Sequence, residues 1–315
     1  MVSRLGGRKS FAGSLMKSIA YHFSLTNWII LINIIVFIAV FGGVAIYNGS
    51  SNPSLNNSNV TESVNVTDIS PGDRFIVENV AFSWENLAEG RVWTLVSNMF
   101  MHGSFSHLFF NMFSLFFIGN FIERLIGRKR FLIFYLISGI FAAFFFGILA
   151  FLFGNSGIGS AIFSTASTPA VGASGAIFGL LGLLAVITPR GKVYLLGGPL
   201  IAIIIVFAIQ GFVPSWLFSI INILATIYIF VSIFSIFSRG ANKLAIPIKM
   251  PFWILPIVAI VPLVIMGLFI SLPIGNTAHL GGLIAGLAFG WYLRMKYKKK
   301  IELLNRMLER GQRKR

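Results

Sequence analysis

No cysteine occurs anywhere in the 315 residues, which removes disulfide staples and thiolate metal sites from consideration. Carboxylates are nearly as scarce, with nine Asp and Glu against 25 Lys and Arg. Charged residues of either sign make up 11% of the chain and hydrophobic ones 56%, a balance that belongs to a polytopic membrane protein rather than a water-soluble domain. The few acids are concentrated: Glu62, Asp68, Asp73, Glu78, Glu85 and Glu89 share one polar stretch, residues 48–92. The bases lie elsewhere, from Arg4 to Lys17, Arg124 to Arg130, Arg190 to Lys192, Arg239 to Lys249 and Arg294 to Arg315, with only Arg74 and Arg91 in that stretch. Segregation of this kind is the positive-inside pattern, and it accounts for a sequence pI near 10.6 without any nucleic-acid partner.

Residues 1–27 read as a cytoplasmic N-terminal segment leading into Trp28 to Tyr47, long enough to cross a bilayer core of roughly 30 Å. This segment is expected to be a retained signal anchor with the N-terminus inside. The polar stretch that follows is expected outside the cytoplasm. It carries Asn-x-Ser/Thr acceptor patterns at Asn48, Asn56, Asn59 and Asn65, which are used only there. Seven further apolar segments follow: Phe105 to Ile126, Phe131 to Phe153, Gly172 to Thr188, Val193 to Val213, Trp216 to Phe237, Phe252 to Leu272 and Ala278 to Tyr292. Alternating sides puts every later basic cluster, and the basic tail at 293–315, on the cytoplasmic face of a membrane domain spanning 28–292, with the plasma membrane as the expected location. The tight Val213-Pro214-Ser215 connection leaves two arrangements open for 193–237, two full spans or a re-entrant pair. The tail itself is expected to be solvated, partly helical and attracted to anionic lipid headgroups.

Ser174 lies in GASGAIFG, Gly172 to Gly179, at the head of an apolar run that ends at Pro189. First-turn N–H groups have no intrahelical partner and lie at the positive end of the helix dipole, so a hydroxyl there sits beside ready anion stabilisers. That setting suits a nucleophile. The plainer role of the same stretch is packing, because Gly172, Gly175, Gly179 and Gly182 offer a small-residue face on which another helix can lie close. His102 and His107 frame the start of the segment at Phe105, and Asn111 follows His107 by four on the same helix face. His279 opens the last segment, where Ala278, Gly282, Gly286 and Gly290 recur every four residues as a smooth stripe. The alternation of spans puts Ser174, His107, Asn111 and His279 at one depth, near the outer face. Contact between the two glycine faces would bring His279 within reach of Ser174, as a nucleophile and its general base require.

No carboxylate lies at that depth, since Glu123 adjoins the opposite end of its segment. A Ser-His dyad is therefore the supportable form, with Phe178, one turn after Ser174, placed to stack on the imidazole and orient it in place of an acid. The Ser174 N–H and the side chains of His107 and Asn111 are the candidate oxyanion donors. Zinc is the competing use of three histidines, but there is no HExxH pattern and no nearby acid to act as base. The reading is of a site without metal or cofactor.

These residues resemble the rhomboid family of intramembrane serine proteases. The likeness rests on GASGAIFG around Ser174, His107-x-x-x-Asn111, AHLGGLIAG from Ala278, and the Gly119, Glu123-Arg124, Gly127 pattern, and it covers roughly Trp93 to Trp291. It implies an all-α polytopic fold with a six-helix core, a dyad of Ser174 and His279, an oxyanion hole that includes His107 and Asn111, and cleavage of membrane-anchored proteins near the outer face. No cofactor is implied. Two features depart from the family pattern. Trp93-Thr94 stands where Trp-Arg is usual, with Arg91 nearby, and 105 residues separate Ser174 from His279, room for three apolar segments instead of one. Val193 to Phe237 accordingly reads as an inserted helical hairpin, and Phe252 to Leu272 as the family's fifth helix and proposed lateral gate, with Pro256 and Pro262 permitting a bend. The expected activity is that of a serine endopeptidase acting on membrane proteins with a transmembrane segment. The alternatives are an inactive relative that binds such segments, and a channel or transporter, which would need polar groups reaching both faces.

Overall fold

A computed structural model describes residues 23–51, 70–209, 212–235, 246–267 and 275–313. The acceptor patterns at Asn56, Asn59 and Asn65 and the basic clusters at Arg4 to Lys17 and Arg239 to Lys243 lie outside the described residues. Four described helices are long and apolar enough to cross a membrane, within Leu25–Val44, Phe105–Ile126, Arg128–Phe153 and Ser215–Ser235, and shorter apolar helices accompany them. The protein is an all-α, multi-pass membrane protein. The chain forms two compact units, one from residues up to Leu180 with Thr277–Gly282, the other from Leu181–Asn276 with Leu283 onward.

In the first unit, α1 (Leu25–Ser51) packs on α5 (Phe105–Ile126), which is followed by α6 (Arg128–Phe153). Ser104 caps α5 by accepting from the His107 N–H, and Gly127, at φ +86°, supplies the left-handed link to α6 that a side chain would strain. At the start of α1 the donors of the first turn meet a buried acid. Leu25 N donates to Glu123 Oε1 at 2.9 Å, and Thr26 N and Oγ1 donate to Oε2 at 2.8 and 2.7 Å. Arg128 Nε stands 3.5 Å from the same carboxylate.

From Ser70 onward the polar stretch is helical where its composition suggests a loop. It contains α2 (Pro71–Asn79), capped by Ser70, and α3 (Trp84–Ala88), capped by Ser83, and just beyond it come α4 (Thr94–Ser97) and a 3-10 turn at Asn98–Phe100. Phe82 exchanges backbone hydrogen bonds with Ala170, and its fully buried ring packs with Ala143 and Phe146 of α6. A short helix, α7 (Gly157–Phe163), follows α6.

Two helices contribute to both units, α8 (Ser174–Ile187) and α12 (Asn276–Lys296). The remaining elements belong to the second unit: β1 (Lys192–Leu196), α9 (Gly197–Ile209), α10 (Ser215–Ser235), β2 (Pro247–Pro251), α11 (Leu255–Gly267) and α13 (Lys298–Arg313). The segment expected to be helical from Val193 begins instead as a strand. β1 pairs antiparallel with β2, Lys192 opposite Pro251 and Leu196 opposite Pro247. A continuous apolar run does not distinguish a strand from a buried helix, so this pairing was invisible to hydropathy. α9 is correspondingly short, with 13 residues, or about 20 Å. The segment expected from Phe252 starts as a 3-10 turn, Phe252–Ile254, and continues as α11. Pro256 is the second residue of α11, where a missing N–H costs nothing, so only Pro262 interrupts the helix interior.

Candidate active site

The helix opening at Ser174 is set by the residues before it. Gly172 has φ +121°, a region closed to ordinary side chains, and a Cβ there would lie 2.7 Å from His107 Nε2. Both the backbone and the space therefore require glycine. Its N–H donates to the Asn98 carbonyl at 2.8 Å, and the Ala173 N–H faces His102 Nε2 at 3.5 Å. The N–H groups of Ser174, Gly175 and Ala176 then occupy the first turn, where no intrahelical acceptor exists.

His279, four residues into α12, reaches Ser174 directly. Its Nε2 lies 2.8 Å from Ser174 Oγ, and its ring is buried and stacked on Phe178 with centroids 4.3 Å apart and planes 12° apart. His279 Nδ1 is buried and has no hydrogen-bond partner among the described residues. The imidazole is held by ring contact where a triad would use a carboxylate. A neutral imidazole in this position can accept the serine proton, provided that Nδ1 carries the hydrogen.

The approach that permits this contact is backbone to backbone. A Cβ on Gly282 would collide with the Gly175 carbonyl, and one on Gly179 with the Ser138 side chain. Gly175 itself faces Ala142 of α6, 2.7 Å from where its Cβ would be. Gly175 and Gly179 therefore pack against α6 as well as α12. Ser138 and Ala142 form the opposing small-residue patch, and their spacing of four along α6 was the available sign of it. Within the second unit the close approach continues where Gly182 meets the Leu283 backbone and Gly290 meets Val186. Gly286 is buried on the same helix.

His107 lies against Gly172 and edge-on to His102, with ring centroids 5.0 Å apart. Asn111 is buried and gives one amide proton to the His107 carbonyl at 2.9 Å, so its second proton is the one free to meet a ligand. Arg91 holds its own loop, through Asn86 Oδ1 at 2.7 Å and Glu89, while Trp93 Nε1 donates to the Asn79 carbonyl. Asn98, whose carbonyl receives the Gly172 N–H, was not singled out by the sequence. Among the described residues no group of three His, Asp or Glu is arranged to hold a metal ion.

His102 precedes α5 and is fully buried. Burial, reinforced by His107, pushes its pKa down to about 3. The folded protein keeps this ring neutral while the unfolded chain protonates it below about pH 6.5, so stability rises with pH between those values and falls as acid is added. The purified protein is expected to melt at a lower temperature near pH 5 than near pH 7, and His102→Asn is expected to narrow that difference.

A family model described as Rhomboid domain matches residues 89–228 and 223–296. Rhomboid protease GluP of Bacillus subtilis (strain 168) is 37% identical over 132 residues, 41% of this chain and 23% of that protein. RHOMBOID-like protein 12, mitochondrial, of Arabidopsis thaliana is 32% identical over 125 residues, 39% of this chain and 37% of its own. Inactive RHOMBOID-like protein 8 of the same plant is 27% identical over 140 residues, 42% of this chain and 35% of its own. The chain thus spans well under half the length of each of these relatives. The family match covers more than half of the chain and takes in Ser174, His279, His107 and Asn111: the protein belongs to the rhomboid family.

Proposed function

We propose that the protein is an intramembrane serine endopeptidase that cleaves membrane proteins within or beside a transmembrane segment. The observation that carries this reading is the 2.8 Å contact between His279 Nε2 and Ser174 Oγ at a helix start. In the reaction, His279 takes the Ser174 proton as Oγ attacks the scissile carbonyl. The first-turn N–H of Ser174, with the His107 and Asn111 side chains, receives the developing oxyanion. The imidazolium then protonates the leaving amine, and water activated by the same ring releases the acyl group. Helical amides are shielded, so the substrate must unwind locally to reach Oγ. The polar stretch and the site are assigned to the extracytoplasmic side, and both termini to the cytoplasm, by the distribution of Lys and Arg.

The test is cleavage in vesicles. The protein, reconstituted with a substrate carrying one transmembrane segment, is expected to release two fragments whose junction lies in or next to that segment. Tight binding of the segment without fragments would favour a rhomboid-like binder, the second reading, which the likeness to Inactive RHOMBOID-like protein 8 supports. Ion flux without proteolysis would favour a channel.

Gly282→Ala probes the geometry without touching either catalytic group. The added methyl has no room against the Gly175 carbonyl, so α8 and α12 must separate by a fraction of an ångström or more. Cleavage is expected to fall about 100-fold, as misplacement of reacting groups by about 1 Å does elsewhere. The protein should remain folded, as checked by its elution from a sizing column.

A further inference from the structure

The second unit ends in α13, whose two faces differ in kind. Tyr297, Ile301, Leu304, Asn305 and Leu308 are half-buried. Asn305 Nδ2 donates to the Ile187 carbonyl at 2.9 Å, which satisfies one of the acceptors left open at the end of α8. Arg190 stands 3.7 Å from Glu309 beside it. This face is anchored to protein.

The opposite face carries Lys299, Leu303, Arg306, Met307 and Arg310, all exposed. Their spacing of three and four residues lines them up in one stripe. Leu303 and Met307 are 54% and 59% exposed, and the flanking side chains are cations. Of the two acids in the helix, Glu309 is turned toward Arg190 and exposed Glu302 borders the stripe, leaving three cations against one acid on that side.

The position of α13 supplies the occupant. Only Tyr297 separates it from α12, so it begins where α12 leaves the apolar layer. That level is marked by exposed Trp291 and Tyr292, and by Lys296, whose Nζ bonds the Tyr292 hydroxyl at 2.8 Å and lies over the rings of Tyr292 and Tyr297. Aromatic and cationic side chains in such a cluster belong at the headgroup layer of a bilayer. A helix that starts there, lies against the end of α8, and turns a cationic face with two large apolar residues outward matches a membrane surface in charge and in depth.

We propose that α13 is a surface helix that docks on anionic lipid headgroups through Lys299, Arg306 and Arg310, with Leu303 and Met307 dipping among the acyl chains. The docked helix joins the lipid surface to the far end of the helix that begins at Ser174.

Because the chain has no cysteine, one placed at Leu303 and carrying an environment-sensitive fluorophore reports on that face alone. The full-length protein is reconstituted in vesicles of phosphatidylcholine, or of phosphatidylcholine and phosphatidylglycerol in equal parts. In the anionic vesicles the probe is expected to shift to the blue and to be quenched by lipid-borne quenchers, an effect weakened by high salt. Replacing Lys299, Arg306 and Arg310 together by Gln is expected to lower the docked-to-undocked ratio about 100-fold, at roughly one lipid-binding increment per cation. In neutral vesicles that variant should match the parent, and Lys299→Arg alone should leave docking intact. A probe that reads equally aqueous in both vesicles, or that ignores the triple substitution, would overturn the proposal. So would a probe shielded in both vesicles in proportion to protein density, which would assign the face to a second copy of the chain.

Discussion

Ser174→Ala is expected to reduce cleavage of a transmembrane substrate by about 10⁴- to 10⁶-fold, the range seen when a serine nucleophile is removed from a unit that works with its base. The loss should appear in turnover rather than in substrate binding, because Oγ makes its decisive interaction only as the new bond forms. His279→Gln should cost a similar factor, and the double variant little more than either alone, since neither residue is useful without the other. A serine-directed fluorophosphonate is expected to label the parent protein but neither single variant nor the unfolded chain. Equal labelling of Ser174→Ala would remove Ser174 from its assigned role. Folding should survive the change. It leaves one ring nitrogen without its partner, a loss on the order of 1 kcal/mol, and the Phe178 stack that holds the ring is untouched.

The largest effect on stability is expected at Glu123, far along α5 from His107. Its carboxylate is 5% exposed and accepts three hydrogen bonds from Leu25 and Thr26, at the end of α1 where backbone donors have no other partner. Asn120 extends the same clasp, accepting from the Ser24 hydroxyl at 2.6 Å and donating to Asn27 Oδ1. Gly119 admits Thr26, which would lie 2.7 Å from any Cβ there. Glu123→Ala strips the acceptor from three donors, each costing about 1–3 kcal/mol where it stays buried and unsatisfied, while Arg128, 46% exposed, loses little with its acid. Glu123→Gln keeps the shape and one good acceptor, and should cost about 1–3 kcal/mol. Thermal unfolding in detergent, followed by aggregation or by tryptophan fluorescence, would rank the three proteins. An alanine variant as stable as the parent would show that α1 is held by its apolar flank alone.

Much of the fold was legible because membrane helices state themselves through length and composition. The segment Phe105 to Ile126 has the same bounds in the sequence reading and in the structure, where a serine cap and a left-handed glycine mark its ends. The pairing of Ser174 with His279 was legible for a different reason: two glycine faces and an alternation of sides leave few places where a lone imidazole can go. The roles of Glu123 and Asn98 were not. The sequence sets Glu123 apart from the catalytic site by its depth but gives it no partner, and it belongs to a helix start nearly a hundred positions away in the chain, which no local pattern announces. The β1–β2 pairing failed for the same reason, since Val193 and Met250 share neither a period nor a turn. The helices between Ser70 and Val92, with their serine caps, were hidden by composition, because Asn, Ser and Thr signal caps and loops equally.

The small sheet also bears on how this chain can change over generations. Leu196 and Pro247 lie opposite one another, and Gly197 N bonds the Ile246 carbonyl, so everything from 197 to 246 leaves and returns at adjacent points. A segment tethered in that way adds only about 0.6 kcal/mol of closure entropy for each doubling of its length. By that measure alone its length is weakly constrained, and the two strands act as a socket from which it leaves and to which it returns.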